Sequence, residues 1–302
     1  MLRWRLLSAG LILGLVISLV VLDFHQVVGP PGACLLPLLL AIVMLGTEEV
    51  LSLFAAKNLR PVAWTVYAGA LLVSLAFGLP LLTPLLPALG SRNVDLHAPP
   101  IALCAATALI FAAEMRRFTA PGQHVIHVAL AVFAVVYVSV LGGFLVALRL
   151  LNGDNALGMT ALVSMLVVVK TSDVGAYFFG RTLGSTKFTP KLSPGKTVEG
   201  AIGGIAAACV ASWFYFHFIA PRIMAGHSTW TRPSWTAMML YGLALAGAAI
   251  LGDLAESLLK RDMQRKDSST WLPGLGGVLD VIDSILFGAP VAYLCWQAGL
   301  LS

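Results

Sequence analysis

The chain has 302 residues, of which 59% are hydrophobic and only 11% charged. A soluble globular protein carries roughly 25% charged residues, so most of this surface faces hydrocarbon, and the pair of soluble domains that the length alone suggests is excluded. The net charge of +5 does not point to nucleic acid, because the basic residues sit in short loops between apolar runs.

A helix needs about 20 apolar residues to cross the hydrocarbon core, and backbone groups cannot stay unpaired in lipid. The chain opens Met1-Leu-Arg-Trp-Arg, and an apolar run then extends from Leu6 to Leu22. That run ends in Asp23-Phe24-His25 without a small-x-small cleavage site, so it is read as an uncleaved first membrane helix rather than a signal peptide. Further spans are expected at 33–56, 62–82, 99–115, 124–148, 156–179, 199–220, 235–259 and 278–300. The predicted fold is all-α: a polytopic membrane protein of about nine transmembrane helices. One integral membrane domain is expected over 1–302, with variable membrane helices in 1–155 and the catalytic helices and cytoplasmic loops in 156–302.

Orientation follows from lysine and arginine, which gather in cytoplasmic loops. With the N-terminus inside, the cytoplasmic pieces hold Arg3, Arg5, Lys57, Arg60, Arg116 and Arg117. The two long loops add Arg181, Lys187, Lys191, Lys196, Lys260, Arg261, Arg265 and Lys266. Only Arg92, Arg149, Arg222 and Arg232 fall on the other side, which predicts a cytoplasmic N-terminus. Cys34, Cys104, Cys209 and Cys295 stand singly in apolar stretches, with no spacing that suggests zinc or a disulfide.

Ionisable residues inside membrane helices are costly, and so mark function by default. In the eighth span, Asp253, Glu256, Ser257 and Lys260 follow i, i+3, i+4, i+7 spacing and share one helical face. In the ninth, Asp280, Asp283 and Ser284 again share a face, after a basic loop with a Pro273-Gly274-x-Gly276-Gly277 turn. Carboxylates converging from two helices beside Lys and Arg suit a magnesium site that receives a polyphosphate. A second cluster comprises Lys170 and Asp173, spaced to pair with each other, and the stretch from Lys187 to Gly200. Gly195-Lys196-Thr197 invites a P-loop reading, but Pro190 stands where that motif needs glycine. A Ser193-Pro194-Gly195 turn, with Lys196 and the amides of a helix starting at Thr197, forms a phosphate cradle instead. The six histidines receive no catalytic role; His124 and His127 lie one turn apart but lack a carboxylate neighbour in the chain.

At these residues the sequence resembles the bacterial phosphatidate cytidylyltransferases, or CDP-diacylglycerol synthases. The family signature runs without insertion through Ser257, Lys260, Arg261, Lys266, Asp267, Ser269, Leu272, Pro273, Gly276, Gly277, Val278, Asp280, Ile282 and Asp283. An upstream stretch matches at Asp173, Ala176, Tyr177, Gly180, Arg181, Ser193, Pro194, Lys196, Thr197, Glu199 and Gly200. Leu275 replaces the signature histidine, and Val281 the arginine between the aspartates. The resemblance covers roughly 170–290, and the first five helices agree in hydropathy and span count only.

The resemblance implies attack by a phosphatidate oxygen on the α-phosphorus of CTP, at a cell (inner) membrane, in phospholipid biosynthesis, with Mg2+ as cofactor. It implies Asp253, Asp280 and Asp283 as metal ligands and Asp280, Lys260 and Arg261 as catalytic residues. Lys196, Ser193, Lys266, Asp267, Asp173 and Glu256 fall to substrate binding. The alternatives are a CTP-using enzyme acting on another lipid (a polyprenol kinase or an ether-lipid phosphate cytidylyltransferase), a non-catalytic homologue motivated by Leu275 and Val281, and a transporter. The oligomeric state stays open between monomer and homodimer.

Overall fold

The computed structural model describes residues 2–82, 94–226, 230–269, 271, 272, 274 and 276–301. Arg92, His227, Pro273 and Leu275, which entered the sequence reading, lie outside the described residues. The chain forms helices α1 (Leu2–Phe24), α2 (Leu35–Ala55), α3 (Ala63–Phe77), α4 (Leu79–Leu82), α5 (Val94–Arg117), α6 (His124–Ala134) and α7 (Leu141–Arg149). Then come α8 (Asn155–Thr182), strands β1 (Lys187–Thr189) and β2 (Ser193–Thr197), α9 (Val198–Phe214), α10 (Ala220–Ile223), α11 (Trp235–Asp262) and α12 (Val278–Gln297). Among the described residues, seven helical stretches are long and apolar enough to cross a membrane. Two shorter apolar helices, Ser8–Phe24 and Ala63–Phe77, occupy the other two expected spans. Large apolar side chains such as Leu11, Ile101, Val125, Val210 and Leu294 point outward, as they must where the solvent is lipid. The fold is that of an all-α polytopic membrane protein.

Two compact units make up the chain: Met1–Ala147 with Asp262–Val281, and Leu148–Arg261 with Ile282–Ser302. In the first, α3 packs on α5 where Gly69 meets Ala106, and a methyl group at Gly69 would lie 3.0 Å from the Ala106 Cβ. The helix from His124 passes through a π-helical turn at Val135–Val140 before α7, and buries Val135, Tyr137 and Val138 there. After α1 the chain folds back: buried Asp23 accepts backbone N–H bonds from Gly32 and Cys34, each at 3.0 Å.

The second unit is organised by the α8–α9 seam. Gly200, Gly203, Gly204 and Ala207 recur at i, i+3, i+4, i+7 on α9, a small-residue stripe that lets two membrane helices approach closely. Gly203 sits against the Phe179 ring and Gly204 against the Ala176 methyl, so larger residues there would force the helices apart. Within this unit Tyr215 Oη donates to Thr160 O at 3.1 Å, and Ser212 Oγ to Met238 O at 2.7 Å. Arg149, counted by sequence as a loop charge, is instead fully buried and donates to Asn155 Oδ1 at 2.5 Å.

Between α8 and α9 the structure corrects one expectation. Ser193-Pro194-Gly195 is not a turn but lies in β2, which pairs antiparallel with β1 through Lys187–Thr197 and Thr189–Ser193. The turn falls one step earlier, where Leu192 N donates to Thr189 O at 3.2 Å around Pro190, whose fixed φ suits a turn's second position. Because Pro194 has no N–H to give a ladder, β2 carries extra residues and the pairing bulges there.

Candidate active site

In the second unit, the site begins with the hairpin's exit into α9. Thr197 is the N-cap: its Oγ1 accepts from Gly200 N at 3.1 Å, satisfying one of the donors that every helix start leaves open. Glu199, in the first turn, accepts from Ser185 Oγ at 2.7 Å and Thr186 N at 3.1 Å, which fixes the strand entering the hairpin. So held, β2 delivers Lys196 Nζ to within 2.7 Å of Asp253 Oδ2 on α11. Ser193 begins β2 and is half-buried. Arg261 Nε reaches Leu192 O at 3.4 Å, a long bond tying the end of α11 to the hairpin turn.

Asp253 follows Gly252, the residue at which α11 meets α12. A methyl group at Gly252 would lie 2.5 Å from the backbone oxygen of Asp283, so α11 and α12 touch there backbone to backbone. Asp283 is 6% exposed, and its carboxyl lies within Coulombic reach of Asp253, Lys170 and Asp173. Asp173 pairs with Lys170 at 3.1 Å and accepts from Ser284 Oγ at 3.1 Å. Acidic groups from α8, α11 and α12 thus converge with two lysines. Farther along α11, the shared face divides: Glu256 turns to Lys260, with Oε2 and Nζ 2.6 Å apart and both residues buried.

In the first unit lies the segment that carries the signature. Lys266 and Asp267 are exposed on the loop after α11, whereas Ser268 is buried. Asp280, in the first turn of α12, accepts from Gly277 N at 2.7 Å, Ser268 Oγ at 2.7 Å and Ser268 N at 3.1 Å. Leu272 and Gly276 exchange backbone hydrogen bonds of 2.9 and 3.1 Å. The two glycines have separate reasons. Gly276 has φ +92°, and a Cβ on it would lie 2.6 Å from Asp280 Oδ2. Gly277 has no room for a Cβ between Ser268 Oγ and the Glu49 carboxylate.

Glu49 was not legible as part of this arrangement. It lies on α2, is 1% exposed, and accepts from Ser268 Oγ at 2.9 Å, Ser269 Oγ at 2.7 Å, and Val278 N and Leu279 N at 2.8 Å each. The available signal was an acidic pair, Glu48-Glu49, inside an apolar span. A second omission is Glu114 on α5, whose buried carboxylate lies 2.9 Å from His124 Nδ1 and 3.4 Å from His127 Nδ1. The histidines therefore do have a carboxylate neighbour, supplied by the α5–α6 helical hairpin rather than by spacing along one helix.

Among the described residues, no three His, Cys, Asp or Glu side chains gather into a set that could hold a metal ion unaided. The oxygen donors around Asp253 and Asp283 nevertheless fit a hard divalent cation such as magnesium, which commonly takes one or two carboxylates and leaves other positions to phosphates and water.

The apolar helices, with acidic and basic side chains gathered on α8, α11, α12 and β2 of the second unit, define the class as a polytopic membrane protein with an ionisable cluster. Residues 5–298 match the Cytidylyltransferase family, and the chain belongs to that family. It is 32% identical over 278 residues to a protein of Bacillus subtilis (strain 168) named phosphatidate cytidylyltransferase, covering 92% of this chain and 93% of that one. Proteins of the same name from Brucella suis biovar 1 (strain 1330) and Helicobacter pylori (strain ATCC 700392 / 26695) are 40% identical over 148 residues and 44% over 132. Those matches cover 49% and 44% of this chain, which spans about half the length of these two relatives, 51% and 45%.

Proposed function

We propose that the chain transfers the cytidylyl group of CTP to phosphatidate, yielding CDP-diacylglycerol and diphosphate, as a nucleotidyltransferase of phospholipid biosynthesis. The observation that carries this reading is the close approach of α11 and α12 at Gly252, with Asp253 within Coulombic reach of Asp283 and Lys196 2.7 Å from Asp253. In the reaction, a phosphatidate oxygen attacks the α-phosphorus, a phosphorus–oxygen bond forms, and the bond from that phosphorus to the bridging oxygen of diphosphate breaks. No protein nucleophile is needed, so the chain's part is positioning and charge stabilisation. Mg2+, when bound, neutralises charge on the polyphosphate.

Asp253 and Asp283 are the carboxylates that meet the cation, and Asp280 is assigned to it from the family signature alone. Lys196 exchanges its Asp253 partner for phosphate oxygens when the nucleotide enters. Arg261 and Lys266 hold phosphates at the loop after α11, with Ser193 and Asp267 as polar contacts. Lys260 is oriented by Glu256, and Asp173 orients Ser284. The apolar helices give diacyl chains entry from the bilayer. The chain sits in the inner membrane with its N-terminus cytoplasmic and works as a monomer or a homodimer.

The test is conversion of labelled CTP by purified protein in phosphatidate–detergent micelles across a magnesium titration. Asp253→Asn and Asp280→Asn are expected to lose turnover by at least 100-fold while remaining helical. Full activity in either variant removes that residue from the site. Faster turnover with an ether-lipid phosphate or a polyprenol would redirect the substrate assignment.

A further inference from the structure

We infer that Glu49, contributed by α2 in the N-terminal half of the chain, is a positioning residue for the signature loop and for Asp280. This inference rests on the function proposed above. Val278 and Leu279 are the first two residues of α12, and their N–H groups have no partner within the helix. Glu49 accepts both, one on each carboxylate oxygen, at 2.8 Å. Its charge therefore lies at the positive end of the α12 dipole. The same two oxygens take the hydroxyls of Ser269 and Ser268, at 2.7 and 2.9 Å. Both donor types come from one segment, residues 268–279, so the carboxylate fixes the distance between the loop's start and the helix's start.

Asp280 reads that distance. Ser268 Oγ lies 2.9 Å from Glu49 Oε2 and 2.7 Å from Asp280 Oδ2, so its single hydroxyl proton is shared between the two carboxylates. Gly277 passes between them, and a Cβ there would fall about 2.5 Å from a Glu49 oxygen. If Glu49 moves, Ser268 and Gly277 are freed, and these donate three hydrogen bonds to Asp280. A carboxylate serving only to stabilise α2 would not be directed entirely at a segment more than 200 residues away in sequence.

The experiment compares Glu49→Gln, Glu49→Asp and Ser269→Ala with Glu48→Gln, whose carboxylate on the same helix instead accepts from Tyr67 Oη. Each is assayed for kcat, KM for CTP and the magnesium activation curve, with folded fraction measured by circular dichroism and thermal melting. Glu49→Gln presents an amide in place of one acceptor; it is expected to lower kcat at least tenfold and move the magnesium midpoint upward, with KM for CTP changing less than threefold. Glu49→Asp, which keeps both oxygens on a shorter arm, should recover part of kcat. Ser269→Ala removes a single donor and should lower kcat about threefold, which keeps the test decisive if Glu49→Gln does not fold. Glu48→Gln should match the parent. The inference is overturned if Glu49→Gln keeps the parent's kcat and magnesium curve, if activity falls only in proportion to folded protein, or if Glu48→Gln loses as much. When Glu49→Gln does not fold, parental kinetics in Ser269→Ala overturn it. If Asp280→Asn retains full activity, the proposed function fails first; an inactive Asp280→Asn beside a normal Glu49→Gln sinks this inference alone.

Discussion

Replacing Gly252 by alanine tests whether the α11–α12 approach creates the site. The added methyl would lie 2.5 Å from Asp283 O and 3.1 Å from its carbonyl carbon, whereas ordinary contacts begin at 3.4 Å. The backbones must therefore separate by about 1 Å, because a packed interior has no slack to absorb the group. Overpacking of this kind costs about 1–3 kcal/mol. The catalytic effect should be larger than the effect on stability. A misplacement of about 1 Å at reacting groups can cost about 100-fold in rate, and the displaced residues are Asp253 and Asp283 themselves. Gly252→Ala should therefore lower kcat in the CTP–phosphatidate assay by one to two orders of magnitude (roughly 10- to 100-fold). Its melting temperature in detergent should fall by only a few degrees. Gly247, on the same helix, has nothing within 4 Å of an added Cβ and serves as the control. If Gly252→Ala turned over like Gly247→Ala, the claim that this crossing sets the carboxylate geometry would be refuted.

Two further variants probe the surroundings. Glu256→Ala leaves the buried Lys260 ammonium without the carboxylate 2.6 Å away; removal of one member of a buried pair costs about 3–5 kcal/mol, so thermal melting should show a large loss, with Glu256→Gln milder. Thr197→Ala removes the cap on Gly200 N and should cost about 1 kcal/mol, with KM for CTP raised because Lys196 is the preceding residue, a change readable in initial-rate kinetics.

The spans were legible because lipid imposes one rule, a long apolar run, that needs no knowledge of neighbours. The pair Lys170–Asp173 was likewise local, and the helix spacing placed it correctly. Spacing misled on α11, where four polar residues on one face divide between Lys196 and an internal pair, because a helical face does not say what lies opposite. The hairpin was missed because Ser-Pro-Gly reads as a turn until a partner strand is known. The π-helical turns at Val135–Val140 and Tyr215–Ile219 left no mark on hydropathy. Glu49 and Glu114 lie in apolar helices, and only the packed fold reveals what they bind.

The long sequence separation of the Glu49 contacts has a consequence for biogenesis. The residues that satisfy this carboxylate lie 219 to 230 positions downstream. At roughly 5–20 residues per second, the ribosome makes them about 10–45 seconds after Glu49 itself. For that interval α2 is a nascent bilayer segment whose acidic group lacks its eventual donors. A chain stalled before the last helix would therefore leave this carboxylate in an apolar span without the hydrogen bonds that offset its burial.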